Sequence, residues 1–74
     1  MSRLGTVTPR QTVAALKKAG FEELSQRGSH LHLYHPQTKV HTIVPMHARD
    51  LHRGLLKAIL KQAGLSEEQF RNLL

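Results

Sequence analysis

The chain has 74 residues, no cysteine and a formal net charge of +6. Its length is enough for one domain, which we expect to span residues 1–74 around a small core. The absence of cysteine excludes disulfide bonds and thiolate metal sites and suits a reducing compartment. No apolar run approaches the roughly 20 residues of a membrane span, and no charged-then-apolar leader opens the chain. We therefore expect a soluble, cytoplasmic protein with no membrane partner.

The positive charge points to the class of partner. Eleven lysines and arginines stand against five acidic residues, and the resulting field attracts polyanions. Nucleic acid is therefore the leading partner class, and a solubilising surface is the alternative interpretation of the charge alone. The six histidines are more unusual in so short a chain, because histidine titrates near neutral pH and is also a common metal ligand.

The first predicted element is a helix. Residues 1–7 show no periodicity and are expected to form a loose lead-in. Thr8, Pro9 and Gln11 then supply an N-cap, a proline at the first helical position and the second half of a capping box. Gly20 is predicted to end the helix in a left-handed cap, with Phe21 contacting the helix behind it. The predicted apolar face consists of Val13, Leu16 and Ala19.

Three strands follow in the predicted order. They span residues 21–26, 30–35 and 40–44, with turns at residues 27–29 and 36–39. A four-residue second loop pairs His35 with Val40, Leu33 with Thr42 and Leu31 with Val44, all on the core face. The opposite face then carries His30, His32, Tyr34, His41 and Ile43. A slip of one residue would invert the third strand, so His41 and Ile43 depend on this register.

Two helices complete the predicted fold. After a connecting segment over residues 46–53, Gly54 opens the most strongly patterned helix, which Gly64 caps and Leu65 follows. Ser66 and Gln69 form a second capping box that predicts a short last helix. The order helix, three antiparallel strands, helix predicts an α+β fold with two helices on one face of the sheet. Double-stranded-RNA-binding domains have this order, which by itself says little about function.

Three segments carry a resemblance to a known family. They are the Gly28-Ser29-His30 tripeptide with its alternating strand, the 44–47 segment Val-Pro-Met-His, and the helix with its flanks over residues 54–66. Together, in this order and spacing, they resemble the HicA toxins over about residues 8–70. The resemblance implies a double-stranded-RNA-binding-like fold and an endoribonuclease that cleaves mRNA. It also implies growth inhibition and neutralisation by a HicB-type antitoxin.

The resemblance makes His30 the catalytic residue, since the histidine of the family's Gly-Ser-His tripeptide has that role. Imidazole can take a proton from a 2′-hydroxyl or give one to a leaving 5′-oxygen at neutral pH. We expect Gly28 to let the backbone approach a phosphate and Ser29 to donate a hydrogen bond to it. Arg27 and Lys39 are further RNA-binding candidates, and no cofactor is implied. One histidine performs only one of the two proton transfers, and the sequence does not name the second group.

Other histidines have competing interpretations. His32 shares a face with His30 and is either a second catalytic group or an exposed strand residue. His47 is expected to have a structural hydrogen-bonding role in preference to substrate contact. A zinc site built from His30, His32 and His41 is the rival hypothesis, which we do not favour because no carboxylate lies nearby in the sequence. Tyr34 either stacks on a base or packs half-buried on its strand.

Two hypotheses concern partners. The non-enzymatic alternative is an RNA-binding module, in which removal of the His30 imidazole leaves function intact and binding depends strongly on salt. For an active nuclease, we expect a monomer when free and a hetero-oligomer with the antitoxin. The antitoxin is expected to cover the polar sheet face and His30, with Ile43 as an apolar anchor.

Overall fold

The computed structural model describes residues 6–74 and contains every predicted helix and strand. The elements are α1 (Pro9–Lys18), β1 (Glu22–Arg27), β2 (His30–Tyr34), β3 (His41–Pro45), α2 (Arg53–Ala63) and α3 (Glu67–Leu73). The strands form one antiparallel sheet in the order β1-β2-β3. The predicted α+β fold, with the α-β-β-β-α order of double-stranded-RNA-binding domains, is confirmed. None of the described helices is long and apolar enough to cross a bilayer.

The ends of α1 form as their residues dictate. The Gln11 backbone N–H donates to the Thr8 hydroxyl at 3.1 Å, and the Thr8 N–H donates to the Gln11 side chain at 2.9 Å, which completes the capping box. At the other end Gly20 has a φ of +107°, and the Phe21 N–H returns to the Leu16 carbonyl at 3.0 Å. This Schellman-type ending places the Phe21 side chain in the core, where it is 4% exposed.

The predicted register of β2 and β3 is confirmed. Leu31 pairs with Val44 and Leu33 with Thr42, and all four side chains are buried against the helices. The Thr42 hydroxyl is the exception among these apolar groups, and it donates to the Gln62 side chain of α2 at 2.7 Å. This hydrogen bond satisfies the hydroxyl, whose burial without a partner would cost about 1–3 kcal/mol.

The strand β1 lies at the edge of the sheet, and all six of its side chains are exposed. It begins one residue later than predicted because Phe21 enters the core instead of the strand. The pairing with β2 shifts between Glu23 and Ser25, a bulge that leaves Leu24 62% exposed. Bulges twist an edge strand away from regular pairing and protect it against edge-to-edge association.

Other boundaries also differ from the prediction: β2 ends at Tyr34 and not at residue 35, and β3 spans His41–Pro45 and not residues 40–44. Helix α2 begins at Arg53, because the His52 ring acts as the N-cap and its Nδ1 accepts the Leu55 N–H at 3.1 Å. Imidazole is a less usual cap than serine or aspartate, so the sequence pattern did not reveal it. The loose lead-in predicted over residues 1–7 is wrong for Val7, which is 3% exposed and bridges to Leu51. Residues 1–5 of that lead-in lie outside the described residues.

His35 joins the end of α1 to the β2–β3 loop. Its Nε2 lies 3.1 Å from the Ala19 carbonyl, and its Nδ1 lies 3.2 Å from the Gln37 N–H and 3.3 Å from the Thr38 N–H. A carbonyl can only accept, so Nε2 carries the proton and Nδ1 accepts from the loop. The ring also packs edge-on against Phe21, with centroids 5.1 Å apart. His35 therefore has a structural role at the margin of the core.

The close approach of His35 to Gly20 makes this glycine hard to replace. A Cβ at Gly20 would lie 2.5 Å from the His35 Nε2, whereas a Cβ at Gly64 would meet nothing within 4 Å. Both glycines end helices at positive φ, so Gly64→Ala is the matched control. We expect Gly64→Ala to lower the free energy of unfolding by about 1 kcal/mol. Gly20→Ala should lower it by about 1–3 kcal/mol more, because the ring must move.

Urea denaturation of the two variants measures this difference. Equal losses of stability for Gly20→Ala and Gly64→Ala would show that the His35 ring yields without cost, which would contradict the structural role given to it.

Candidate active site on the open face of the sheet

One face of the sheet is packed against the helices, and the other carries mostly polar side chains. We call the second the open face; within the described residues no helix packs on it. Its central residues alternate with the buried leucines of β2 and the buried threonine and valine of β3. The residues of the open face are Glu22, Ser25, Arg27, His30, His32, Tyr34, His41, Ile43 and Pro45. The predicted placement of His41 and Ile43 on this face is confirmed.

A two-residue turn positions His30 at one end of the open face. Arg27 pairs directly with His30 across the turn formed by Gly28 and Ser29. Gly28 has a φ of +58°, whereas Ser29 keeps a negative φ, a pattern typical of type II′ hairpin turns. A Cβ at Gly28 would contact nothing within 4 Å. Glycine is therefore needed for the backbone conformation, and the space beside it is open to a ligand.

The same turn is tied to the end of β3. The Met46 N–H donates to the Ser29 carbonyl at 2.6 Å, and His30 pairs with Pro45. These contacts bring His47 beside His30, with ring centroids 6.3 Å apart and ring planes at 66°. Both side chains are exposed. Neither ring forms a hydrogen bond within residues 6–74, so the structural role expected for His47 is not seen.

His32 and His41 form a separate pair. The His32 Nδ1 lies 3.1 Å from the His41 Nε2, and the two rings stack with centroids 5.1 Å apart. One of the facing nitrogens must carry a proton and the other must accept it. His32 is therefore engaged with His41 and not with His30. Among residues 6–74, no three histidine or acidic side chains are grouped closely enough to hold a metal ion.

The structure brings together only part of the predicted RNA-binding set. Arg27, Gly28 and Ser29 adjoin His30, whereas Lys39 lies in the β2–β3 loop at the opposite end of the sheet. At about 3.3 Å per residue, the length of β2 separates Lys39 from His30 by roughly 13 Å. Because of this separation, any phosphate that Lys39 contacts is a different one from the phosphate beside His30. Lys39 itself has a positive φ of 66° in the loop.

Charge around this site favours an anion. Arg27 is exposed and forms no salt bridge within the described residues, so its guanidinium is available to a phosphate. Among residues 6–74, the cations that form ion pairs are on the helices: Lys17 contacts Glu23 at 2.6 Å, and Arg53 and Lys57 contact Glu67 at 3.6 and 3.7 Å. Two accessible imidazoles and a free guanidinium around an open turn can bind a phosphodiester and move protons on it.

Comparison with known protein families gives a match over most of the chain. The sequence model of the HicA toxin of bacterial toxin–antitoxin systems matches residues 9–65. No curated protein matches the chain significantly. The matched region runs from the first residue of α1 to the residue after the Gly64 cap, and it includes the whole sheet, the Gly28-Ser29 turn, His30 and His47. The chain therefore belongs to the HicA toxin family of bacterial toxin–antitoxin systems.

Proposed function

We propose that this toxin is an endoribonuclease that cleaves mRNA with His30 as its catalytic residue, and thereby inhibits translation and growth. The supporting observation is the position of His30, whose imidazole is exposed and has no hydrogen-bond partner among the described residues. It lies directly across the strand pair from Arg27, which forms no salt bridge within those residues. A histidine needed for the fold would be engaged, as His35 is by its three backbone contacts. The free ring of His30 is available to a substrate.

The proposed reaction uses the 2′-hydroxyl of the RNA itself. An imidazole takes the hydroxyl proton, the oxygen attacks the adjacent phosphorus, and the bond to the 5′-oxygen breaks as that oxygen gains a proton. The products are a 2′,3′-cyclic phosphate and a 5′-hydroxyl. Arg27 and the backbone around Gly28 would hold the phosphate oxygens. No metal ion takes part in these steps.

Purified protein and a long unstructured RNA in EDTA test this proposal. We expect cleavage, with cyclic phosphate and 5′-hydroxyl ends when the products are mapped. Binding without cleavage would replace the proposal with a non-catalytic RNA-binding module, a function that the net charge of +6 also favours. Cleavage that appears only when zinc replaces EDTA would instead restore the metal hypothesis.

We further propose that a HicB-type antitoxin neutralises the toxin by covering the open face. Ile43 is a half-buried aliphatic side chain among the histidines of this face, directly opposite His32. An apolar residue within a polar surface is a natural anchor for a protein partner. A partner seated on Ile43 and the adjoining end of the sheet would also exclude RNA from His30.

Chemical modification measures whether His30 is covered. Diethylpyrocarbonate reacts with accessible imidazole, so we expect His30 to be modified rapidly in the free toxin and at least about tenfold more slowly in the antitoxin complex. Peptide mapping by mass spectrometry gives the rate for each histidine. Equal rates for His30 in the free toxin and in the complex would show that the antitoxin acts without covering this site.

A further inference from the structure

We propose that His47 supplies the second proton transfer of the cleavage reaction, so that His30 and His47 act as an acid–base pair. This inference rests on the proposed ribonuclease activity. It answers a requirement of that chemistry, since one imidazole moves only one of the two protons. The sequence places the two histidines seventeen positions apart, and only the fold brings them together.

The geometry of the pair suits a bound phosphodiester. The ring centroids are 6.3 Å apart and the planes are steeply inclined, at 66°. A hydrogen bond of about 3 Å from each ring spans this separation, so one phosphate between the rings would be within reach of both. The two rings do not hydrogen-bond to each other or to any described residue. Each therefore keeps its nitrogens free for substrate.

The attachment of His47 keeps it near His30. His47 follows Met46, whose N–H is held by the Ser29 carbonyl at 2.6 Å. This hydrogen bond joins the β1–β2 turn to the end of β3, directly beside both histidines. A loop residue anchored in this way keeps its approximate position, which proton transfer requires.

Other described groups are less suited to the second transfer. His32 is hydrogen-bonded to His41. The guanidinium of Arg27 has N–H donors and no acceptor, so it can stabilise negative charge but cannot serve as the base. Tyr34 lies at the opposite end of β2 from His30. Glu22 pairs with Tyr34 at that same distant end of the sheet. The carboxylates of Glu23 and Glu67 are engaged with basic side chains.

The two imidazoles begin and end the reaction in opposite states. One starts neutral and takes the proton of the 2′-hydroxyl as the new oxygen–phosphorus bond forms. The other starts protonated and gives its proton to the 5′-oxygen as the old phosphorus–oxygen bond breaks. Hydrolysis of the cyclic phosphate is not needed for strand cleavage, so no further reactant takes part. The original states return by exchange with water.

A substrate with an altered leaving group tests this assignment. At the mapped cleavage site of a short oligonucleotide, the 5′-bridging oxygen is replaced by sulfur. Sulfur leaves as a thiolate without a proton, since an ordinary thiol has a pKa near 8.5. Loss of the general acid therefore matters little for this substrate, while loss of the general base still prevents attack.

We expect His47→Ala and His30→Ala each to lose about 10²- to 10⁴-fold of the cleavage rate on ordinary RNA. The sulfur substrate should restore the cleavage rate of one of the two variants and not of the other, because the two imidazoles have opposite roles. His52→Asn is the matched control: it also removes a histidine, and asparagine keeps a capping oxygen at the start of α2. It should cleave both substrates at the wild-type rate. Thermal unfolding and RNA binding of each variant check for a structural defect.

The outcomes separate this inference from the proposed function. If wild-type protein cleaves and His30→Ala does not, while His47→Ala cleaves ordinary RNA at the wild-type rate, the function stands and the role of His47 is wrong. The role of His47 is also wrong if His47→Ala loses activity together with folding stability or RNA binding. It is wrong as well if the sulfur substrate restores cleavage by neither variant. If wild-type protein cleaves neither substrate, the proposed function itself fails and the inference with it.

Discussion

Purified His30→Ala is expected to lose about 10²- to 10⁴-fold of the RNA cleavage rate, because removal of a positioned acid or base costs that much. This corresponds to about 3–5 kcal/mol of the activation free energy. The free energy of unfolding should stay within about 0.5 kcal/mol of the wild-type value, since the side chain is exposed and makes no hydrogen bond in the described structure. The combination of lost activity and kept stability distinguishes a catalytic histidine from a structural one.

Single-turnover rates with excess protein measure the chemical step apart from product release. RNA binding by His30→Ala should remain within about threefold of the wild type, since the proposed phosphate contacts of Arg27 and the backbone of the turn are unchanged. If His30→Ala cleaves RNA at the wild-type rate, His30 takes no part in the chemical step. A loss of cleavage that follows a loss of RNA binding would assign His30 to substrate binding instead.

Phe70→Ala is expected to lower the free energy of unfolding by about 3–5 kcal/mol, the usual cost of removing a buried phenylalanine side chain. Phe70 is fully buried, and it is the only buried residue that α3 contributes. The total stability of a domain of this size is roughly 4–11 kcal/mol, so this single change removes a large share of it. Because α3 packs against both α1 and α2, its loss would loosen the layer that supports the sheet.

Leu74→Ala is the control for Phe70→Ala, since Leu74 is 52% exposed and follows the last turn of the same helix. It should change the free energy of unfolding by less than about 0.5 kcal/mol. Urea denaturation of both variants makes the comparison. Equal midpoints for Phe70→Ala and wild type would show that α3 is not part of the folding core. The test matters because Phe70 lies beyond residues 9–65, which match the family.

Local sequence signals predicted the elements of this fold because several of them agree at each boundary. The capping boxes at Thr8 and Ser66 and the glycines at positions 20 and 64 mark helix ends that the structure confirms. The alternation of leucine and histidine along β2 fixes which face is buried. The register of β3 followed from the length of one loop, and it is correct because the buried face leaves no alternative pairing.

The grouping of the histidines could not be predicted, because it depends on contacts between residues far apart in the chain. Alternation places His30 and His32 on one face, but it does not show that His32 turns to His41 while His30 faces His47. His52 as an N-cap and His35 as a bridge between α1 and a loop depend on single hydrogen bonds that no periodic pattern records. The 44–47 segment did contain a signal for His47, as part of the family resemblance.

One measurement tests most directly whether this face performs histidine-driven cleavage through the 2′-hydroxyl. An oligonucleotide carrying the mapped site receives a single 2′-deoxy nucleotide on the 5′ side of the cleaved bond, and a control carries the same change one position away. We expect the wild-type protein in EDTA to leave the first oligonucleotide intact and to cleave the control, because only the first lacks the nucleophile. Cleavage of the first oligonucleotide at the mapped bond would contradict the account, since attack would then come from water and not from the RNA.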